Sequence, residues 1–384
     1  MKAVAVFPES RELRIIEHAE PRVTRPTDVK LRMLEVGICG TDKEICSFTY
    51  GTPPVGSDYL IIGHESLGEV VEVGPQVDGL KVGDLVVTMV RRPCPHPECQ
   101  PCRAGHQDFC VTGDYTERGI KGQHGFMAEY VVDDARYMCA VPPELREVGV
   151  LVEPASIAAK ALFQTAAILR RLAWFDPSEL SAPSRRPYHA AVLGAGPVGL
   201  LGALALRNVG FDTYVYDRAP APNPKSRLVE SLGATYISEE RLGEFDHLLG
   251  AVELVYEASG ASQLAFRAMK VLGHNSIFIF TGVPALGGAN PVDTDAIMRN
   301  AVLKNQVIFG TVNAGREGFE AAIRTLGVAM RRWPMALQGL ITGRYPLNAY
   351  RDLLLGQPGG IKNVLSFEAA QRPATDPARA SARV

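Results

Sequence analysis

His189-Ala190-Ala191-Val192-Leu193-Gly194-Ala195-Gly196-Pro197-Val198-Gly199-Leu200 is an apolar run that breaks at a glycine triplet and resumes as a helix-forming stretch. A G-x-G-x-x-G pattern between strand and helix is the setting in which that otherwise weak match carries weight. Gly194 permits the tight turn, Gly196 lets the backbone approach a pyrophosphate, and Gly199 lets helix and strand pack closely. The helix N-terminus then faces the phosphates. Pro197 suits a first helical turn, where its missing N–H costs little, and Val198 completes the same cofactor loop. A glycine turn without ligand is the bland alternative, and the units that follow argue against it. Strands are expected at His189 to Leu193, Thr213 to Tyr216, Leu254 to Glu257, Ile277 to Phe280 and Val307 to Val312. Helices are expected at Pro197 to Val209, Pro224 to Leu232, Ser262 to Val271 and Gly315 to Met330. Such alternation predicts a parallel, doubly wound sheet.

The second strand ends at Asp217-Arg218, where an acidic side chain accepts hydrogen bonds from the adenosine ribose. A carboxylate there repels a 2′-phosphate, so NAD is favoured. Arg218, Lys225 and Arg227 lie close enough in sequence to hold that phosphate if Asp217 turns aside, so NADP stays open; as isolated charges they are otherwise a solvated surface. Gly282 and Val283, just past the Ile277 to Phe280 strand, are expected to join the cofactor contacts.

Upstream the rhythm differs. Residues 1 to 150 give short β-type runs broken by glycine and proline (Val29 to Val36, Leu67 to Val73, Asp84 to Met89, Met127 to Val132), which predicts a compact, barrel-like domain. Residues 150 to 171 read as a helix, and Asp176 to Pro187 as a linker. Within this half Cys94, Cys99, Cys102 and Cys110 are spaced C-x4-C-x2-C-x7-C. A closed tetrahedral Zn²⁺ satisfies four such sulfurs and leaves no open position, so this metal is structural. Disulfides or unrelated buried thiols are the alternatives. Cys39, in Gly37-Ile38-Cys39-Gly40-Thr41-Asp42, and His64, in Gly63-His64-Glu65, offer a thiolate and an imidazole for a second zinc. A third, acidic ligand is available at either Glu65 or Glu153. Taken singly, each has an ordinary reading as a core residue.

With 384 residues and a net charge of −2, the chain is long enough for two domains and carries no excess basicity that argues for nucleic acid. No apolar run is long enough to cross a membrane, and the start Met1-Lys2-Ala3-Val4-Ala5-Val6 lacks the features of a signal peptide. The odd total of seven cysteines fits a reducing cytoplasm. The last residues, 369 to 384, are rich in Ala, Arg and Pro and are expected to form a loose tail.

The cysteine-glycine-threonine-aspartate turn, the Gly-His-Glu, the four-cysteine lobe and the late glycine loop, in this order, resemble the zinc-dependent medium-chain alcohol and polyol dehydrogenases. Cys39-Gly40-Thr41-Asp42-Lys43-Glu44-Ile45, Arg91-Arg92, Asp108-Phe109-Cys110, Thr112-Gly113-Asp114-Tyr115, Gly125-Phe126-Met127 and Gly310-Thr311-Val312-Asn313 most resemble the glucose 1-dehydrogenase branch. The resemblance implies an α/β fold: a GroES-like β-rich catalytic domain (1–186 and 313–384) plus a Rossmann doubly wound parallel sheet (187–312). It implies that Cys39, His64, Glu65 and Glu153 hold the catalytic zinc directly or through water, giving two zincs per chain. Thr41 would contact the reacting oxygen, Asp114, Glu153 and Asn313 would face the sugar, and Asn313 would also border the cofactor. A homotetramer or dimer oxidising an aldose at C1 to its lactone is implied. A polyol, another aldose or a secondary alcohol is the alternative substrate. The chain departs from the branch at Glu44, where many relatives carry a histidine, and at Val90 and Ile157, which replace polar sugar contacts. A metal-free reductase and a redox sensor built on the cysteine lobe, with Arg103 beside Cys102, are competing readings.

Overall fold

A computed structural model describes residues 1–175, 188–249, 252–284 and 287–368; the linker expected at Asp176 to Pro187 and the tail expected at 369 to 384 lie outside the described residues. The nucleotide half is a six-stranded parallel sheet in the order Thr235–Ser238, Asp212–Asp217, His189–Leu193, Leu254–Glu257, Ile277–Phe280, Val307–Gly310. His189–Leu193 is central: Ala190 through Leu193 are wholly buried, as a near-continuous apolar run requires when helices cover both faces. The chain leaves this strand on one side to Asp212–Asp217 and returns on the other to Leu254–Glu257. That reversal is a topological switch point, and the glycine loop sits at its carboxyl end.

The sequence reading missed the strand Thr235–Ser238 and the helices Leu242–Leu249 and Thr294–Leu303. The strand, Thr-Tyr-Ile-Ser, begins and ends on a hydroxyl residue and lacks the apolar run that marks the equally short Leu254–Glu257 and Ile277–Phe280. The last helix has no buried residue, its apolar side chains Met298, Val302 and Leu303 lying exposed. The final strand stops at Gly310 rather than Val312, because the chain there turns away toward the other half.

The β-rich half is built on the ten-residue strand Asp28–Gly37. It pairs antiparallel with Glu65–Val73, Tyr130–Asp134 and Lys362–Ser366. Leu85–Thr88, Met138–Val141 and Ile341–Pro346 complete a seven-stranded sheet. Two three-stranded sheets flank it, one carrying Lys2–Phe7 and the other Arg91–Arg92 with Thr116–Arg118 and Gly122–Gln123. The helix Val152–Leu169 joins the halves. Its alanine face, Ala155, Ala158, Ala159 and Ala161, packs on Arg316–Arg332 and Pro197–Asn208. One core thereby runs from Leu67, Val87 and Met89 through this helix to Ala190 and Val192. No helix among the described residues is long and apolar enough to cross a membrane.

Candidate active site

Strand register builds the metal-ligand cluster. Gly37 stands directly opposite Glu65 in the antiparallel pair, so Cys39, two residues beyond Gly37, and His64, one before Glu65, leave the same end of the sheet together. A Cβ at Gly37 would lie 2.0 Å from Glu65 Oε2, so glycine is what lets the carboxylate fold across the neighbouring strand. Cys39 then caps the helix Gly40–Cys46: its N–H donates to Asp42 Oδ2 at 2.9 Å, closing a reciprocal capping box that fixes where the thiol points. One ligand atom each from Cys39, His64 and Glu65 lies within 4.8 Å of the others.

Around these three, two groups set charge and orientation. Asp42, fully buried, lies 3.3 Å from His64 Nδ1, which leaves Nε2 for a metal; a carboxylate behind a ligating histidine fixes tautomer and ring plane. Burial opposes charge on His64, yet Asp42 and Cys39 hold it well above its ordinary pKa. Lys362, from the last described strand, donates to Glu65 Oε1 at 2.6 Å and to the Ile38 carbonyl at 3.0 Å. Burial also opposes its charge, and Glu65 and Cys39 keep it protonated. With His64 neutral, as a metal ligand must be, Cys39 as thiolate, Glu65 and Asp42 outnumber the Lys362 cation by two charges. A divalent ion of zinc's preferences fits this donor set and its charge.

Glu153, at the start of the joining helix, is not a member of the three-residue cluster. Burial, with Glu65 and Asp42 adding to it, pushes its carboxyl up to about 7 against the pull of His64 and Lys362. It therefore exchanges a proton near neutrality beside the metal ligands. Thr41 stands in the first turn of Gly40–Cys46, partly accessible, and Glu44 faces solvent from the same helix.

The four-cysteine lobe forms as a second cluster, again within 4.8 Å, with Cys94, Cys99 and Cys102 buried. None of the seven cysteines is in a disulfide. Burial pushes Cys102 up to about 12. Burial opposes ionisation of Cys110 as well, but the Thr112 hydroxyl and the amides of Thr112 and Gly113 outweigh it and bring that thiol down to about 6. Crowded sulfurs with such unequal tendencies to ionise suit a metal that holds all four as thiolates.

In the glycine loop Gly194 has φ +99°, and a Cβ on Gly199 would meet the Gly194 carbonyl at 1.9 Å. Pro197 opens the helix Pro197–Asn208, with Val198 in its first turn. Asp217 Oδ2 accepts from Ala195 N–H at 2.9 Å and from Lys225 Nζ at 3.1 Å, while Oδ1 accepts from Ala219 N–H at 3.1 Å. Burial opposes its charge, and these partners bring the pKa below the ordinary value. Arg218 and Arg227 are exposed beside it. Gly282 and Val283 line a cavity of about 320 Å³ with Gly310, Thr311 and Val312, at the carboxyl ends of two sheet strands.

Asn313, buried and left-handed at φ 56°, donates from Nδ2 to Glu117 Oε1 at 2.8 Å. The same oxygen accepts from Arg91 Nε at 3.0 Å. Asp114 sits on the exposed rim of the cysteine lobe, paired with His96 Nε2 at 2.8 Å. The sequence reading assigned no role to Asp42, Glu117, Lys160 or Lys362. An acid three residues after Cys39 is a capping signal and marks Asp42. Lys362 is 297 residues from Glu65 and has no local signal.

A family profile described as "Glucose dehydrogenase C-terminus" matches residues 146–367, and one described as "Alcohol dehydrogenase GroES-like domain" matches 25–143. A glucose 1-dehydrogenase of Methanocella arvoryzae is 39% identical over 96% of this chain and all of its own. One from Thermoproteus tenax is 41% identical over the same shares. The Haloferax mediterranei glucose dehydrogenase, solved with NADP, zinc and gluconolactone, superposes with a TM-score of 0.84. It is 33% identical and covers 96% of this chain and 100% of its own.

Proposed function

The chain belongs to the glucose dehydrogenase family with an alcohol dehydrogenase GroES-like domain, and on that footing we propose that it oxidises an aldose at C1 to the lactone, passing hydride to a nicotinamide dinucleotide. The observation that carries this reading is the Cys39, His64 and Glu65 cluster, with His64 and Glu65 buried, in a chain that also holds the glycine loop. It speaks against a metal-free reductase, which has no use for a thiolate, an imidazole and a carboxylate in one place.

Zinc at Cys39, His64 and Glu65 supplies Lewis acidity, the effect that takes bound water from ~16 to ~7, and the nicotinamide supplies the hydride acceptor. The chain's own residues do the rest. Asp42 holds the His64 ring, and Lys362 holds the Glu65 carboxylate. In this reading Thr41, in the first turn of its helix, takes a hydrogen bond from the substrate hydroxyl and passes the proton outward. Glu153, with a pKa of about 7, accepts or returns a proton at working pH. Asn313 and Glu117, bonded to each other, offer an amide and a carboxylate to sugar hydroxyls. Asp114 adds a further acceptor from the lobe rim. Lys225 already neutralises Asp217 in part, so both NAD and NADP suit the ribose site.

Assembly as a homo-oligomer belongs to the same reading. Val307–Gly310 is an edge strand, and Met298, Val302, Leu303 and Ile308 are exposed around it. Two copies meeting along that edge cover an apolar, unpaired surface. A cytoplasmic setting is supported by the unpaired cysteines.

The test is a panel of aldoses, polyols and secondary alcohols with both nucleotides, beside Cys39→Ser. Turnover of aldoses above the rest, abolished in Cys39→Ser while nucleotide binding persists, is expected. Preference for a polyol would replace the substrate; full activity in Cys39→Ser would end the metal reading.

A further inference from the structure

A buried cation outside the metal centre links the cysteine lobe to the place where the chain crosses back from the nucleotide half. Lys160, on the joining helix, puts Nζ 2.8 Å from Asp108 Oδ2, with both side chains almost wholly buried. The same nitrogen donates to the Val312 carbonyl at 3.2 Å and lies 3.9 Å over the Phe109 ring. Asp108 and Phe109 form the turn that leads into Cys110, a member of the four-sulfur cluster. Val312 belongs to Thr311-Val312-Asn313, and this segment is pinned a second time from the lobe side by Asn313 Nδ2 on Glu117. Glu117 is held by Arg91, whose Nη1 also donates to the Asp108 carbonyl at 3.2 Å.

Apart from these, the segment keeps one bond to the parallel sheet, from Thr311 N–H to the Phe280 carbonyl at 2.9 Å. On one side lies the cavity of about 320 Å³ lined by Gly282, Val283, Thr311 and Val312. A groove of about 670 Å³ lies farther off, beneath the cysteine lobe, with none of Thr311–Asn313 in its lining. Asp108, Phe109, Lys160 and Gln164 line both, so they are the partition between them. A strand end that borders a cavity, with the Val312 side chain exposed, takes its position more from its polar anchors than from packing. A carbonyl held by an ammonium that is itself neutralised and desolvated is a strong anchor of this kind.

We propose that Lys160 is a positioning residue for hydride transfer: it braces Thr311–Asn313 against the cysteine lobe, and so fixes the wall on which the nicotinamide end of the cofactor rests. The lobe, whose own metal site has no open position for substrate, then contributes to turnover as the fixed abutment of that brace. This rests on the nicotinamide reading above. The adenine end is held separately, at the glycine loop and Asp217, so losing the brace shifts the ring without releasing the nucleotide.

Lys160→Met and the double variant Asp108→Asn with Lys160→Met test it on the full chain. The single variant strands a buried carboxylate and loses stability; the double variant removes that charge and regains it. Metal content, thermal midpoint, kcat and KM, and the emission of bound reduced nucleotide are measured for both. The expected result is a fall in kcat of about tenfold to a hundredfold in both variants, the range that a misplacement of about 1 Å produces. KM for nucleotide stays within about threefold, two zincs remain, and the emission maximum of bound reduced nicotinamide moves toward that of the free form. Lys160→Arg restores most of the rate. The proposal is overturned if the double variant turns over at the wild-type rate, if its bound-nucleotide emission is unchanged, or if zinc is lost from the lobe along with activity. Failure of the wild type to oxidise any aldose would remove the substrate reading alone, since the emission measurement needs no sugar.

Discussion

Lys362→Met isolates the charge logic of the metal centre. In the folded chain the ammonium contacts both Glu65 oxygens, at 2.6 and 2.5 Å, with 2% of either side chain exposed. Taking away one partner of such a pair strands a buried carboxylate, at a cost of about 3–5 kcal/mol. For domains of this size each kcal/mol moves the midpoint by roughly 2–4 °C, so metal-free Lys362→Met should melt about 6–20 °C below metal-free wild type. Zinc changes the outcome, because a divalent cation beside Glu65 compensates the same carboxylate. If the ion recovers about 2 kcal/mol of the loss, linkage requires the variant to bind catalytic zinc about thirtyfold more tightly than wild type. The assay is scanning calorimetry of metal-free and zinc-loaded protein, with a chelator titration for affinity. Equal shifts of the two midpoints would refute the reasoning, since Glu65 would then not share its compensation between Lys362 and the metal. An unshifted metal-free midpoint would show that Glu65 is not a stranded charge at all.

Two further substitutions probe how the site is held. Gly37→Ala places a methyl 2.0 Å from Glu65 Oε2 and must displace it, so catalytic zinc affinity should fall by about 10- to 100-fold. The cysteine lobe should keep its own zinc, and metal analysis showing two firmly held ions would refute this. His124 concerns pH. Its Nδ1 accepts from Ile61 N–H at 3.1 Å, and burial, with His18 and Arg118, pushes it down to about 4. The folded chain therefore binds fewer protons than the unfolded one between about pH 6.5 and 4. Its contribution is intact above that window and lost as pH falls through it. With the ring only half buried, this amounts to about 1–2 kcal/mol after discounting for solvent. His124→Asn, which keeps an acceptor for Ile61, should flatten the acid limb of stability against pH by that amount; an unchanged slope would refute the assignment.

The parts of this enzyme that were legible in its sequence are those whose chemistry is local. The glycine loop announces itself because strand, turn and helix are contiguous, and the four sulfurs because one short loop carries them all. Cys39 and His64 were legible as a candidate pair of ligands, but not the geometry that joins them. Nothing in either stretch says that Gly37 faces Glu65, and that register, not proximity in the chain, brings thiol and imidazole to one point. The sequence left Glu65 and Glu153 interchangeable as the acidic partner. The fold distinguishes them: Glu65 is charge-paired to Lys362, while Glu153 is desolvated to a pKa of about 7. A ligand whose charge is already compensated can meet or release a metal at modest cost, whereas an acid near neutrality is suited to moving a proton. Two neighbouring carboxylates thus differ in charge because only Glu65 is bonded to a lysine, and that lysine comes from a strand far along the chain that pairs beside Gly37.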